Sequence, residues 1–138
     1  MIALNIKNRK EYLHTLKKLF NNSEYFCIVS PQIEENEFPI IISKLLPYCI
    51  EIKETNSWKG TKMYKNSKKD HIIYTFNICD STFEILKLFS NFFEDKIYYY
   101  ESFGEEYQLD ISFFSHNKKC IFYTIVHEGV CMIDSGLV

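Results

Sequence analysis

The sequence contains few residues that break secondary structure, with only four glycines and three prolines among 138 residues. Disordered and linker-rich chains are usually rich in such residues and poor in aromatic ones. Here the apolar fraction is 46% and the aromatic fraction is 17%, so a mainly disordered chain is excluded. A chain of this length can bury a core without disulfides or metal ions. We therefore expect a single folded domain over residues 1–138.

The chain also lacks a strong excess of charge of either sign, and its one arginine is Arg9. The formal net charge is −2 and the isoelectric point is near 6.1. Domains that bind nucleic acid are usually basic and depend on arginine for bidentate and stacking contacts. Nucleic-acid binding is therefore disfavoured, and a partner has to be inferred from local clusters of charge.

Long apolar runs are missing as well. No stretch approaches the roughly 18 residues of a membrane span, and the N-terminus has no basic segment followed by an apolar one, so neither membrane insertion nor export is predicted. The five cysteines include no C-x-x-C pair, which argues against a disulfide framework and a zinc site. Most lie in apolar runs as small buried residues, and their reduced thiols predict a cytoplasmic protein.

The common signatures of catalysis are absent from the sequence. It contains no G-x-S-x-G, no H-E-x-x-H, no phosphate-binding loop and no dinucleotide fingerprint. Its four histidines form no ligand pair at helical or hairpin spacing. We therefore expect no catalytic residues, no metal and no cofactor.

Apolar periodicity predicts three helices with recognisable starts. Asn8 caps the first helix, which ends near residue 21, and Glu11 completes a capping-box-like pair. The second helix is predicted over residues 37–46. Ser81 and Glu84 form the capping box of the third helix, which ends near residue 93.

Strands are predicted in the remaining periodic segments. Residues 24–30 form the apolar run typical of a strand covered on both faces, whereas residues 49–55 alternate isoleucine with charge, as a half-exposed strand does. The other predicted strands cover residues 2–6, 71–79, 96–102, 109–116, 119–127 and 130–135, with a hairpin turn at residues 117–118. This pattern predicts an α+β fold, a single layered domain with helices packed on a mostly antiparallel β-sheet.

An apolar run near the C-terminus, YTIVHEG, stops at His127 and Glu128. If the run is extended, these side chains leave opposite faces of the strand and do not form a catalytic dyad. We expect His127 to be a structural imidazole on the face of Tyr123. The predicted hairpin register brings Asp110 within diagonal reach, so Asp110 is its expected hydrogen-bond partner.

Residues 56–70 form the one long segment without periodicity, and a loop of this length is often functional. It interleaves aromatic residues with five lysines, which are Lys59, Lys62, Lys65, Lys68 and Lys69. Two alternatives remain open for this loop: a nucleic-acid-binding surface, or a small enzyme or ligand-binding domain that also uses His127.

Acidic and aromatic residues cluster elsewhere in the chain. Such a mixture is typical of a surface that binds a basic partner, because aromatic anchors provide affinity and charge provides steering. The predicted partner-binding residues are Glu34, Glu35, Glu37, Tyr98, Tyr99, Tyr100, Glu101, Phe103, Glu105, Glu106, Tyr107 and Asp110.

Three segments of the chain resemble the sequences of a small bacterial family of about this length. They are ETNSWKGTKMY (54–64), HIIYTFNI (71–78) and LDISFF with IFYTIVHEG (109–129). Its members look like E-T-x-x-W-P-G-T before the middle loop and D-L-x-F followed by I-x-H-E near the end. The signature positions that match are Trp58, Gly60, Thr61, His127 and Glu128, and Lys59 replaces the usual proline.

Some sequences of this kind are labelled sporulation-related, and others look like immunity proteins of bacterial toxin–immunity systems. The resemblance implies an immunity-type protein that neutralises a cognate toxin domain by blocking its active surface, without catalysis of its own. The mild negative charge suits a basic nuclease as the target.

Overall fold

In the computed structural model, the described residues are 1–32, 39–62, 68–93, 99–102 and 105–138, and for residues 62, 99–102 and 105–108 only the backbone is described. Within these ranges the chain forms three α-helices and a seven-stranded antiparallel sheet, which confirms the predicted α+β class.

The three helices and the seven strands of the main sheet follow the predicted order, whereas the short strands over residues 57–58, 61–62 and 105–108 are not predicted. The helices are α1 (Arg9–Asn22), α2 (Ile40–Leu45) and α3 (Asp80–Leu86). The strands are β1 (Ile2–Leu4), β2 (Tyr25–Pro31), β3 (Cys49–Thr55), β4 (Ser57–Trp58), β5 (Thr61–Lys62), β6 (His71–Asn77), β7 (Tyr99–Ser102), β8 (Glu105–Gln108), β9 (Asp110–Phe114), β10 (Cys120–Ile125) and β11 (Val130–Ile133). The main sheet has the order β1-β11-β10-β9-β2-β6-β3, and β4-β5 and β7-β8 form separate two-stranded sheets.

All three helices pack on one face of the main sheet. Phe26 in β2 is paired with Phe76 and Phe113 on its two neighbours, so these three rings share a face. They belong to the same buried cluster as apolar residues of α1, α2 and α3. We call the opposite side of the sheet the second face. Because β2 lies inside the sheet, residues 26–30 are all buried, as the apolar run predicts.

Helix α1 begins as predicted and packs against the end of α3. The backbone N–H of Glu11 donates to Oδ1 of Asn8 at 2.9 Å, which confirms the N-cap. The hydroxyl of the buried Tyr12 donates to the carbonyl of Leu86 at 2.6 Å, and the guanidinium of the exposed Arg9 donates to the carbonyl of Phe89 at 2.7 Å. These side chains satisfy carbonyls at the end of α3, which stops at Leu86 rather than near residue 93.

The predicted cap of α3 is wrong. The N-cap residue is Cys79, and Thr82 completes the box in place of Ser81 and Glu84. The Thr82 hydroxyl donates to the carbonyls of Asn77 and Cys79 at 2.9 and 3.0 Å. The helix therefore starts two residues earlier, since Thr82 is buried and bonded to the end of β6.

Helix α2 is shorter than predicted within the described residues. It starts at Ile40, directly after Pro39, and continues into a 3₁₀ turn over Leu46–Tyr48. The predicted start near residue 37 lies outside the described residues.

Strand β3 is an edge strand of the main sheet, and its isoleucines are exposed. Ile50 and Ile52 are 56% and 54% accessible, so the alternation predicted to bury them is wrong. A register irregularity between Cys49 and Glu51 interrupts the pairing with β6, and within the described ranges β3 has a sheet neighbour on one side only.

The predicted hairpin between β9 and β10 is confirmed, but its turn is longer than two residues. The Lys118 N–H donates to the Ser115 carbonyl at 2.9 Å, and Lys118 has a positive φ of 60°. A register shift between Cys120 and Phe122 offsets the longer turn, so Tyr123 lies opposite Ser112.

Within the described part of the chain, none of the helices has both the length and the apolar character that crossing a membrane requires.

Candidate protein-interaction site

The predicted partner-binding residues fall into three groups in the structure. Glu34, Glu35, Glu37, Tyr98 and Phe103 lie outside the described residues. Tyr99, Tyr100, Glu101, Glu105, Glu106 and Tyr107 form the hairpin β7–β8, of which the backbone is described. Asp110 is the first residue of β9, and its side chain is described in full.

The hairpin β7–β8 pairs outside the main sheet and has an unusual charge pattern. Residues 99–108 include three glutamates and no lysine or arginine. The register places Glu101 opposite Glu106 and Tyr100 opposite Tyr107. Like charges at directly opposed positions destabilise a hairpin. A basic partner would relieve this repulsion.

The hairpin β7–β8 attaches to the end of the main sheet at which β9 begins. Strand β2 ends at Pro31 and its antiparallel neighbour β9 begins at Asp110, with Val29 opposite Asp110. The hairpin β7–β8 precedes Asp110 by one residue, Leu109. We call this the Asp110 end of the sheet. The acidic residues Glu34, Glu35 and Glu37 follow β2 in the sequence and lie outside the described residues.

The carboxylate of Asp110 is bound inside the protein. Its Oδ2 accepts the indole N–H of Trp58 at 2.9 Å. Its Oδ1 accepts the backbone N–H of Val126 at 2.8 Å and lies 3.4 Å from the Thr124 hydroxyl. Hydrogen bonds to a charged acceptor are stronger than neutral ones. Asp110 therefore anchors the Asp110 end, and its direct contact with a partner stays a prediction.

The start of the predicted loop over residues 56–70 forms the hairpin β4–β5. This hairpin places Trp58 next to Asp110. The Trp58 ring lies 4.6 Å from the His71 ring, and the register pairs Trp58 with Thr61. Gly60 has a φ of +87°, and a Cβ built there would lie 2.8 Å from the Tyr123 ring. Glycine is required because the turn lies directly on the second face of the sheet.

Lys59 also contacts the second face. Its Nζ lies 5.7 Å from the centroid of the Tyr123 ring, within cation–π range. Lys68 and Lys69 are exposed, and Lys65 lies outside the described residues. Trp58, an aromatic residue of this loop, contacts Asp110 and His71, and Tyr64 lies outside the described residues.

The predicted environment of His127 is wrong. Strand β10 ends at Ile125, and Val126–Glu128 form a 3₁₀ turn that closes at Gly129 with a φ of 65°. The extended conformation ends before Val126, whose backbone N–H donates to the Asp110 carboxylate. This hydrogen bond replaces the expected one between Asp110 and the His127 side chain.

His127 and Glu128 are exposed beside each other. Their Nε2 and Oε1 atoms are 3.8 Å apart, and the side chains are 64% and 59% accessible. This distance exceeds hydrogen-bond reach, and an exposed ion pair contributes little to stability. The two residues lie on the surface of the Asp110 end.

A pair that the sequence reasoning missed lies at the start of β6. Nδ1 of His71 is 2.7 Å from Oδ1 of Asp70, and this hydrogen bond holds the pKa of Asp70 below its ordinary value. The adjacent residues Asp70 and His71 at the start of a predicted strand are the sequence signal that could have identified this pair. In the described ranges, no group of three or more His, Cys, Asp or Glu side chains is placed to hold a metal ion.

Comparison with known proteins adds no relative to this picture. No family model, no curated protein and no solved structure matches the chain significantly.

Proposed function

We propose that the chain is an immunity-type protein that binds and neutralises a cognate bacterial toxin through its Asp110 end. The single observation that supports this most is the position of the hairpin β7–β8. This acidic and tyrosine-rich hairpin forms its own two-stranded sheet and joins the main sheet through Leu109 and Asp110.

The junction is rigid, which favours tight binding. Leu109 is fully buried, and the Asp110 carboxylate is held by Trp58 and by the Val126 backbone. A binding segment on a fixed base loses less conformational freedom on association than one on a free loop. The family resemblance fits this arrangement, because its signature residues Trp58 and Gly60 build the contact that holds Asp110.

The charge at this end predicts the chemistry of the partner. Glu101, Glu105 and Glu106 lie on the hairpin, and Glu34, Glu35 and Glu37 belong to the segment after β2. A basic surface, such as the substrate-binding surface of a nuclease, would attract this acidic end and be covered by it. The inhibitor then acts by occupying the surface, and no bond is made or broken. The five free cysteines are consistent with action in the cytoplasm.

The test uses the purified full chain and the toxin domain encoded by a neighbouring gene. We expect a one-to-one complex by titration calorimetry, loss of toxin activity at equal concentrations, and an association rate that falls as salt is raised. Replacing both Glu101 and Glu106 by Lys should slow association by about tenfold or more, because two attractive charges become repulsive.

The matched control is Glu24→Lys. Glu24 is exposed, and its backbone N–H donates to the carbonyl of Phe114, at the opposite end of β9 from the hairpin. The control should associate nearly as fast as the unchanged chain. Full toxin activity in the presence of excess chain would contradict the proposal, as would tight binding of random oligonucleotides at physiological ionic strength. Loss of an enzymatic activity in a folded His127→Ala variant would instead support the enzyme alternative.

A further inference from the structure

Among the described residues, strand β3 presents a long free edge. Its seven residues pair with β6 on one side, no described strand pairs on the other side, and at about 3.3 Å per residue the edge is about 23 Å long. The opposite edge of the sheet, β1, has only three residues. A free edge exposes backbone N–H and C=O groups that can pair with another strand.

The apolar residues of this edge are not used by the chain's own core. Ile50 and Ile52 are more than half exposed, although β-branched apolar residues of a strand usually pack against a neighbour. Ile52 pairs with Tyr74, a core residue, so it lies on the helix-covered side of the sheet. Single exposed apolar residues are common, but two of them on one free edge indicate a contact surface.

The charges of β3 select which strand can pair there. Glu51 and Lys53 lie on the same side of the strand, where Lys53 Nζ is 3.2 Å from Glu51 Oε1. In an antiparallel pair of two β3 strands centred on Ile52, each Glu51 faces Lys53 of the second copy. Ile52 then faces Ile52 of the second copy, and each Ile50 faces Glu54. Natural edges often use charge to prevent such pairing, but alternating charges around a central apolar residue attract an identical strand.

We propose that two copies of this chain associate through antiparallel pairing of their β3 strands, centred on Ile52. The contact is two-fold symmetric and continues the main sheet from one copy into the other. It goes beyond the proposed function and does not depend on it. Because β2 and β6 separate β3 from β9 in the sheet, the dimer leaves both hairpins β7–β8 accessible.

The contact is small, which determines how it has to be measured. Stable interfaces bury about 800 Å² on each partner, and one pair of strands buries less than that. The dimer should therefore form as protein concentration rises. Analytical ultracentrifugation of the full chain across a series of concentrations gives its dissociation constant.

Charge variants test the predicted register. Lys53→Glu alone, or Glu51→Lys alone, places like charges opposite each other twice in the interface, so each should weaken the dimer by about tenfold. The double variant Glu51→Lys/Lys53→Glu restores opposite charges at both positions and should dimerise like the unchanged chain. Lys17→Glu, an exposed change on α1, is the matched control and should leave the dimer intact.

Circular dichroism and the thermal midpoint verify that each variant is folded, as the exposure of Glu51 and Lys53 predicts. A chain that stays monomeric at every concentration would overturn the proposal. So would a dimer that neither single variant weakens, or a double variant that remains as weak as the single ones.

Discussion

The indole of Trp58 and the carboxylate of Asp110 meet across 52 positions of sequence, and this contact organises the Asp110 end. Trp58 is a signature position of the sequence resemblance, and Asp110 is a predicted partner-binding residue. Neither prediction identifies the other residue as its partner. At the scale of single residues, Trp58 and Gly60 hold the hairpin β4–β5 on the sheet, whereas His127 and Glu128 are exposed.

Gly60→Ala tests how closely that hairpin approaches the sheet. We expect a loss of about 2–4 kcal/mol in the free energy of unfolding, because alanine adds strain at positive φ and a clash with Tyr123. Gly129→Ala is the control, since Gly129 has a φ of +65° but no atom within 4 Å of a built Cβ. That variant should lose only about 1 kcal/mol in urea denaturation. Equal losses would mean that the approach to Tyr123 is not the constraint.

Trp58→Phe tests the hydrogen bond to Asp110. The change removes the N–H donor from a charged acceptor, and we expect a loss of about 2–3 kcal/mol in unfolding free energy. In an Asp110→Asn background the same change should cost about 1–2 kcal/mol less, as a double-mutant cycle would measure. Far-ultraviolet circular dichroism should follow unfolding, because Trp58 is the only tryptophan. Full additivity of the two changes would contradict a direct bond.

At the scale of elements, the start of α3 shows how a local signal can indicate the wrong residues. The S-x-x-E spacing of Ser81 and Glu84 fits a capping box, yet both residues are exposed in the structure. Thr82 is fully buried, and its hydroxyl bonds to the last residue of β6. Packing against the strand therefore selects Thr82, since a buried hydroxyl without a partner is costly.

Thr82→Val and Ser81→Ala distinguish the two boxes. Valine keeps the shape of Thr82 but removes the hydroxyl that forms hydrogen bonds with the backbone of Asn77 and Cys79. We therefore expect a loss of about 1–2 kcal/mol in unfolding free energy. Ser81→Ala should change it by less than about 0.5 kcal/mol. Chemical denaturation of both variants provides the comparison. A larger loss for Ser81→Ala would restore the box that the sequence pattern indicated.

At the scale of the whole molecule, the burial of the cysteines reports the integrity of the fold. All five are free, and burial raises the pKa of Cys27 and of Cys131 to about 11. Cys27 lies within 3.4 Å of the Thr75 hydroxyl on the second face, and Cys131 donates to the Leu4 carbonyl at 3.2 Å on the helix-covered face. Cys49, Cys79 and Cys120 are half-buried, so the expectation that most of the cysteines are buried is wrong, and the reduced state of the thiols stays a prediction.

Alkylation with iodoacetamide at mildly alkaline pH tests this burial. Because the thiolate is the reactive form, Cys27 and Cys131 should react at least about a hundredfold more slowly in the folded chain than in urea. Mass spectrometry of the peptides would measure each rate. Their folded-state pKa lies above the ordinary value of 9.0, so the protonated thiols stabilise the fold below that pH. This contribution is lost as the pH rises to about 11. Fast alkylation of the native chain would contradict the burial.

The sequence alone determined the order along the chain of the three helices and of the seven strands of the main sheet, the Asn8 cap, the β9–β10 hairpin and hence the α+β class. These depend on apolar periodicity and on bonds between residues a few positions apart, which are present in the sequence itself. Tertiary structure alone decided that Asp110 binds Trp58 and the Val126 backbone, that His127 is exposed, and that Ile50 and Ile52 lie on a free edge. The physical reason is that the partner of a carboxylate, and the place of a strand in its sheet, depend on residues far apart in the chain that meet only after folding.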